Sequence, residues 1–296
     1  MAFAPVTWRV RSATLSTTEH TLVMGVLNVT GDSFSDGGRF TDAAEVVAAG
    51  KAMWAEGADL VDVGGESTRP GSTGVSLAEE LDRVVPVVAG LVAAAVAVSV
   101  DTSKPAVAAA ALDAGAEVVN DITALAHPDM AAVCAQSGAG VVLVHMQGTP
   151  ETMQLDPRYH DVVTEVERFL LSRAEAAAAA GIEPDRICLD PGIGFGKRIE
   201  HNLELLAGLG RLVASGYPVL VGTSRKGFLG EILSAAGHPA PAAQRDQATH
   251  ATTALAVAAG AAAVRVHDVA GALQAARTAD AIVRRTDRLE DVPWQG

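Results

Sequence analysis

Residues 96–121, VAVSVDTSKPAVAAAALDAGAEVVND, decide how the chain is built. The run from 96 to 100 reads as a strand buried on both faces, as strands inside a parallel sheet are. Asp101 ends it. Pro105 then stands where the first residue of a helix tolerates a missing N–H. Gly115-Ala116 closes that helix, because glycine adopts the left-handed conformation of a helix C-terminus. The chain re-enters an apolar run at 117 to 119 and leaves it at Asn120-Asp121. The unit is strand, helix, strand, with a polar residue at the carboxyl end of each strand.

The same phrase recurs at Gly57-Ala58, Gly138-Ala139 and Gly260-Ala261, and as Gly216-Tyr217-Pro218. Apolar runs at 22 to 27, 60 to 63, 140 to 144, 187 to 189, 219 to 221 and 264 to 266 bring the candidate strands to eight. Asp42 with Glu45 and Ser76 with Glu79 mark helix starts, the second as a capping box. The spacing is too uneven for a solenoid, and the alternation of strand and helix means a parallel α/β sheet. An open doubly wound sheet gathers ligand groups at one switch point, whereas a closed barrel brings all its strand ends to one mouth. Here every run is followed by polar groups: Asn28, Gly64-Gly65-Glu66, Asp101, Asn120-Asp121, His145, Asp190, Ser224-Arg225-Lys226, and Arg265 with His267. The expected fold is therefore an α/β (β/α)8 TIM barrel over 21–285. Residues 1–20 form an N-terminal extension expected at the barrel base, and 286–296 a polar tail.

The chain has 296 residues, 49% of them hydrophobic and 4% aromatic, a composition suited to helices and buried strands packed from small branched side chains. Cys134 and Cys188 have no His or Cys partner nearby, so neither a disulfide framework nor a zinc site is indicated and a cytoplasmic location is expected. A formal charge of −13 and a pI near 5.0 argue against nucleic-acid partners. The N-terminal MAFAPVTWRVRS lacks the apolar run of a secretory signal. The uncharged stretch between Arg83 and Asp101 contains Pro86 and Gly90 and is short for a membrane span of roughly 20 residues. It reads as a helix running into a buried strand, and no membrane association is expected.

Asp101 and Asp190 are acids at strand ends flanked by apolar residues, where an ionised carboxylate needs donors to offset lost hydration. Each either caps the following helix or faces a ligand. For Asp190, in DPGIGFGK, the clustered glycines point to a fixed turn approaching a ligand closely. That segment is neither a Walker loop, since Arg198 follows Lys197, nor a dinucleotide fingerprint. With Asn120, the two acids form an acceptor-rich set suited to a nitrogen-rich heterocycle, or alternatively a metal site. In TSRKGFLG (223–230), Arg225 and Lys226 place cations where a helix N-terminus favours acids. Lys226 is then either a Schiff-base lysine or a donor to ligand oxygens. In VRVHD (264–268), Arg265 and His267 leave the same face of an extended run and make an anion clamp, with Asn28 on the next strand around. His145 reads as a satisfied structural histidine. The polar segments 29–40 and 64–76 read as lids.

These residues carry a family resemblance. MGVLNVTGDSFSDGG (24–38), VDVGGESTRPG (61–71), VSVDT (98–102), VVND (118–121), HMQGTPETMQ (145–154), LDPGIGFGK (189–197), VLVGTSRKGFLG (219–230) and VRVHDV (264–269) resemble, in order, the blocks of the dihydropteroate synthase family of folate biosynthesis. The resemblance implies a homodimeric pterin-binding barrel that condenses 6-hydroxymethyl-7,8-dihydropterin pyrophosphate with p-aminobenzoate, and a target for sulfonamides. Carried over by position, Asp101, Asn120, Ile122, Met146, Asp190, Phe195, Gly222, Lys226 and Arg265 would surround the pterin. Asn28, Thr68, Arg69, Arg265 and His267 would hold pyrophosphate, with Asn28 as an oxygen ligand to Mg2+. Phe34, Thr68, Arg69, Pro70, Lys226 and Gly227 would receive p-aminobenzoate. The catalytic set would be Asp36, Asp101, Lys226, Arg265 and His267.

Three positions depart from the family pattern. Gly31 stands where the first lid usually has proline, which should loosen it. Gly196 replaces a common alanine, an exchange expected to be neutral. Gly227 stands where many members have a serine that contacts the p-aminobenzoate carboxylate; the backbone N–H or the Ser224 neighbourhood would have to compensate, and altered p-aminobenzoate or sulfonamide affinity is expected. The competing readings are a pterin-binding methyltransferase, a Schiff-base aldolase using Lys226, and a pterin-binding paralogue without turnover.

Overall fold

The computed structural model describes residues 4–29, 43–69 and 71–284. Two short antiparallel strands, β1 (Thr7–Arg9) and β2 (Thr14–Ser16), precede the alternating units and were not resolvable as strands in the sequence. The units then run β3 (Leu22–Asn28), α1 (Ala43–Ala55), β4 (Leu60–Gly64), α2 (Leu77–Ala93), β5 (Val98–Asp101), α3 (Pro105–Asp113), β6 (Val118–Asp121) and α4 (Pro128–Ser137). They continue through β7 (Gly140–Val144), α5 (Val162–Ala179), β8 (Ile187–Asp190), α6 (Ile199–Ala207), α7 (Leu209–Val213), β9 (Leu220–Val221), α8 (Gly227–Ala235), α9 (Asp246–Ala258), β10 (Ala263–Val266) and α10 (Val269–Arg284). Each of the eight apolar runs is a strand. The five helix-ending glycines, Gly57, Gly115, Gly138, Gly216 and Gly260, all have positive φ.

The eight strands β3 to β10 pair in parallel in the order β8-β7-β6-β5-β4-β3-β10-β9. A parallel bridge between Leu189 and Val219 joins the two ends, with Leu189 N donating to Pro218 O at 2.9 Å. The sheet thus closes into the (β/α)8 barrel. At the start of α2, Ser76 accepts from Glu79 N at 3.2 Å, while the Glu79 carboxylate pairs with Arg83. The expected capping box is half realised, because a guanidinium one turn on competes for the carboxylate. Asp42 lies outside the described residues.

Alternate side chains on each strand face outward and are buried against the helices, for example Val61 and Val98, on the two strands that α2 packs against, in one cluster with Val84, Val88 and Leu91. The others fill the barrel. Its lower layer is apolar, built from Leu22, Met24, Leu60, Val118, Val142, Cys188 and Leu220, and Trp8 and Val10 of the N-terminal hairpin pack into the same cluster. Trp8 Nε1 donates to Arg186 O at 2.9 Å, beside the start of β8. Burying one such side chain contributes about 1.5–3 kcal/mol, so the lower layer carries stability while the upper layer is left to polar groups. Register sets that layer: Asp62 lies beside Ser99, and Asp101 beside Asn120. Among the described residues no helix is long and apolar enough to cross a membrane.

Candidate active site

Polar groups from six strand ends meet in the upper layer of the barrel. Arg265, on β10, donates from Nε to Asp62 Oδ2 at 2.6 Å and from Nη2 to Asp101 Oδ2 at 2.8 Å. Asn120 Nδ2 donates to the same Asp62 oxygen at 2.9 Å. Asp62 is fully buried on β4 and has one oxygen, Oδ1, without a hydrogen-bond partner, as has the buried Asn120 Oδ1. A buried acceptor left unpaired is costly, so the floor of this site is built to receive N–H donors. Asp62 was not singled out in the sequence. The two-residue alternation that turns Leu60 and Gly64 inward also turns Asp62 inward, and that period was the available signal.

Asp190 ends β8, where its Oδ1 accepts Gly192 N at 2.7 Å. Burial raises its pKa against the pull of Lys226. Burial also pushes the Asp101 pKa up to about 7, opposed by Arg265 and reinforced by Asp62, Asp121 and Glu80. Lys226 is lowered to about 8, chiefly by burial. Its ammonium donates to Ile193 O and lies 4.2 Å from the centroid of the Phe195 ring. Gly222 sits between Asp190 and Arg265, where an added Cβ would lie 4.0 Å from Asp190 Oδ2 and 3.8 Å from Arg265 Cβ. Ile122, Met146 and Phe195 pack against the barrel's interior cluster and form apolar walls.

The glycines of 192–196 approach protein backbone. A Cβ on Gly192, at φ +65°, would overlap the His145 carbonyl, and one on Gly196, at φ +62°, would come within 2.5 Å of Gln147 O. The expectation that Gly196 exchanges neutrally with alanine is therefore corrected: a left-handed backbone in contact with the loop after β7 favours glycine here. Lys197 reaches under this loop. Its ammonium is 2.9 Å from Gly192 O, 3.0 Å from Phe195 O and 2.9 Å from His145 Nδ1. Burial takes the Lys197 pKa well below its usual value, and burial with Lys197 nearby lowers His145 to about 3. His145 is a buried structural partner of the lysine, as read from the sequence.

The seventh strand end divides its cations. Arg225 turns to Asp246, with two contacts of 2.7 Å, and only Lys226 joins the acids. The Ser224 hydroxyl lies 2.8 Å from His267 Nδ1 and accepts His267 N at 3.1 Å. It is engaged with the histidine, which leaves the backbone N–H as the other of the two compensations expected at Gly227. Burial, followed by the charges of Arg265, Arg225 and Arg69, lowers the His267 pKa to about 4. Asn28 is exposed at the end of β3, Thr68 is half-buried and Arg69 exposed. Gly227 opens α8, with nothing within 4 Å of the position a Cβ would occupy. Phe34, Asp36, Pro70 and Gly31 lie outside the described residues.

An acceptor floor, apolar walls and a cation-rich rim in one barrel mouth agree with what the comparisons find. Residues 24–267 match the model of the pterin binding enzyme family. The chain belongs to the dihydropteroate synthase family of pterin binding enzymes. Dihydropteroate synthase from Mycobacterium leprae is 46% identical over 277 residues, covering 93% of this chain and 98% of that protein. Among solved structures, Xanthomonas albilineans dihydropteroate synthase with 4-aminobenzoic acid has a TM-score of 0.86 and 44% identity, covering 98% of this chain and 100% of that one. The Burkholderia cenocepacia dihydropteroate synthase complexed with 7,8-dihydropteroate has a TM-score of 0.86 and 42% identity, covering 97% and 99%. Within this family the upper-layer acids, Arg265 and Lys226 are the groups on which a functional reading rests.

Proposed function

We propose that the protein condenses 6-hydroxymethyl-7,8-dihydropterin pyrophosphate with p-aminobenzoate, giving 7,8-dihydropteroate and pyrophosphate. The observation that carries this is the pair of unpartnered buried acceptors, Asp62 Oδ1 and Asn120 Oδ1, set beside Asp101 and Asp190 under one guanidinium. A pterin edge supplies several N–H donors in one plane, which is the complement of that floor. Arg265 and Lys226 hold the ring, and Ile122, Met146 and Phe195 exclude water from it. Schiff-base chemistry is not needed: Lys226 beside Asp190 works as a donor in its charged form.

The reaction is substitution at the pterin methylene. The bond from that carbon to the pyrophosphate oxygen breaks first, its electron pair leaving with pyrophosphate. The aniline nitrogen then forms the new carbon–nitrogen bond and releases its proton to solvent. Fixed charge that favours both the departing anion and the developing cation lowers this barrier. Arg265 and His267 face the anion, and Asp101 and Asp190 fix the electron-rich ring. Holding the two substrates in line supplies much of the remainder. The second lid, through Thr68 and Arg69, covers the p-aminobenzoate end.

The donor set fits magnesium that arrives on its substrate. Asn28 offers one amide oxygen at the rim, and no group of three His, Cys, Asp or Glu placed to hold a metal ion occurs among the described residues. Magnesium takes few protein ligands beside phosphate oxygens and water, so Asn28 would hold it there. When bound, Mg2+ neutralises charge on the leaving pyrophosphate. Family likeness supports a cytoplasmic homodimer as the working form, which sedimentation of the purified protein checks.

The test is pyrophosphate release by the purified protein with dihydropterin pyrophosphate and Mg2+, with and without p-aminobenzoate, while dihydropteroate is followed. Release coupled to product and lost on chelation supports the reading. Pterin binding without release replaces it with a methyltransferase or a silent paralogue.

A further inference from the structure

Ser224 follows β9 and His267 follows β10, neighbouring strands of the barrel. The serine hydroxyl accepts the His267 backbone N–H at 3.1 Å and lies 2.8 Å from Nδ1 of the same residue. In a neutral imidazole one nitrogen carries the proton and the other accepts. Were Nδ1 protonated, the serine oxygen would accept twice, and its own O–H, in a residue only 8% exposed, would be left without an acceptor among the described residues. Both contacts are made in one arrangement: the backbone N–H donates to Oγ, Oγ–H donates to Nδ1, and Nε2 holds the ring's proton.

That choice matters because the ring is neutral. Burial and the nearby charges of Arg265, Arg225 and Arg69 keep its pKa at about 4. Positive charge at the rim therefore comes from the arginines, and the histidine adds only a direction. With the proton on Nε2 it points an N–H at an anionic oxygen. With the proton on Nδ1 it would point a lone pair there, and the contact would be repulsive.

We infer that Ser224 is a positioning residue that holds His267 in its Nε2–H tautomer, making the ring a neutral hydrogen-bond donor to an oxygen of the departing pyrophosphate. The identity of that acceptor rests on the synthase reading, and the tautomer does not. The hydroxyl acts through the histidine and needs no contact with substrate.

The test is nitrogen NMR of the free protein labelled with 15N-histidine, with the His267 signals assigned by their loss in His267→Gln. The wild-type ring should show a bare Nδ1 and a protonated Nε2. Ser224→Ala should give signals averaged between tautomers and weaken inhibition by inorganic pyrophosphate about three- to tenfold, the effect of one hydrogen bond. Ser224→Thr, which keeps the hydroxyl, should restore both. A wild-type ring protonated at Nδ1 overturns the inference, as does a Ser224→Ala protein that loses pyrophosphate affinity with the nitrogen pattern unchanged. If Ser224→Ala does not fold, the wild-type and Ser224→Thr spectra decide. A wild type that forms no dihydropteroate removes the synthase reading, while the tautomer is still judged from the free protein's spectrum.

Discussion

Arg265 is held by a residue in the floor of the site: its Nε is 2.6 Å from Oδ2 of Asp62, on the strand two places around from β10. Asp62 is fully buried, and the same oxygen also receives Asn120 Nδ2 at 2.9 Å. One carboxylate therefore sets both the guanidinium and the amide. Removing one partner of a buried ion pair leaves an uncompensated charge, at a cost of about 3–5 kcal/mol. Asp62→Ala should lose stability of that order in urea denaturation, and its turnover should fall on the order of 10²-fold through misplacement of Arg265. Asp62→Asn, which keeps an acceptor, should be milder on both counts. An Asp62→Ala protein with wild-type turnover would remove Asp62 from the site.

Lys197 makes a second prediction, about the loop after β8. Its ammonium binds the carbonyls of Gly192 and Phe195 and Nδ1 of His145 in a fully enclosed position. Lys197→Met fills the space but leaves those acceptors unpaired, at about 1–3 kcal/mol for each buried group left unsatisfied. Melting should occur at lower temperature, and pterin affinity should fall because Ile193 O and the Phe195 ring, both touching Lys226, are carried by the same loop. Unchanged pterin affinity in a folded Lys197→Met protein would show that the loop is held by its glycines alone.

The barrel was legible in the sequence because eight buried strands and their closing glycines repeat one phrase, and because polar residues follow every strand. Asp101, Asn120, Asp190, Lys226 and Arg265 were visible for the same reason. Asp62 was not, since it sits inside an apolar run, VDVGG, where alternation hides an acid between valines. The N-terminal hairpin was missed because three-residue strands give too short a period to read. Partner choice was illegible as well: nothing in SRK tells that Arg225 turns to Asp246, or that the Ser224 hydroxyl belongs to His267, since both partners are distant in sequence.

The acids and the lysine together predict the pH dependence of pterin binding. Asp101 must be ionised to accept an N–H, and burial holds its pKa up at about 7. Lys226 must be charged to donate, and burial brings it down to about 8. Affinity should therefore fall as pH drops through about 7 and fall again as it rises through about 8, giving a narrow optimum whose two limbs belong to the coupled cluster. Titration calorimetry with a pterin across pH 5.5 to roughly 9.5 reads both limbs. Asp101→Asn should flatten the acid limb, and Lys226→Arg the alkaline one. Affinity that keeps rising below pH 7 would contradict the assignment.

Gly227 is the position where this chain should differ in function from relatives with a serine there. It begins α8, just after Lys226, and nothing lies within 4 Å of where its Cβ would stand. A serine would fit without moving a neighbour, and its hydroxyl would join the free N–H groups at the start of that helix, where a carboxylate is favoured. The Ser224 hydroxyl cannot substitute, being bound to His267. Gly227→Ser should therefore lower the KM for p-aminobenzoate by about ten- to a hundredfold, one hydrogen bond to a charged acceptor, and strengthen sulfonamide inhibition in the same direction. Pterin affinity and melting temperature should stay put, because the change touches neither the acceptor floor nor the core. Unchanged constants for both aryl ligands would show that the carboxylate is held elsewhere, and Arg69, exposed in the segment after β4, would become the group to replace.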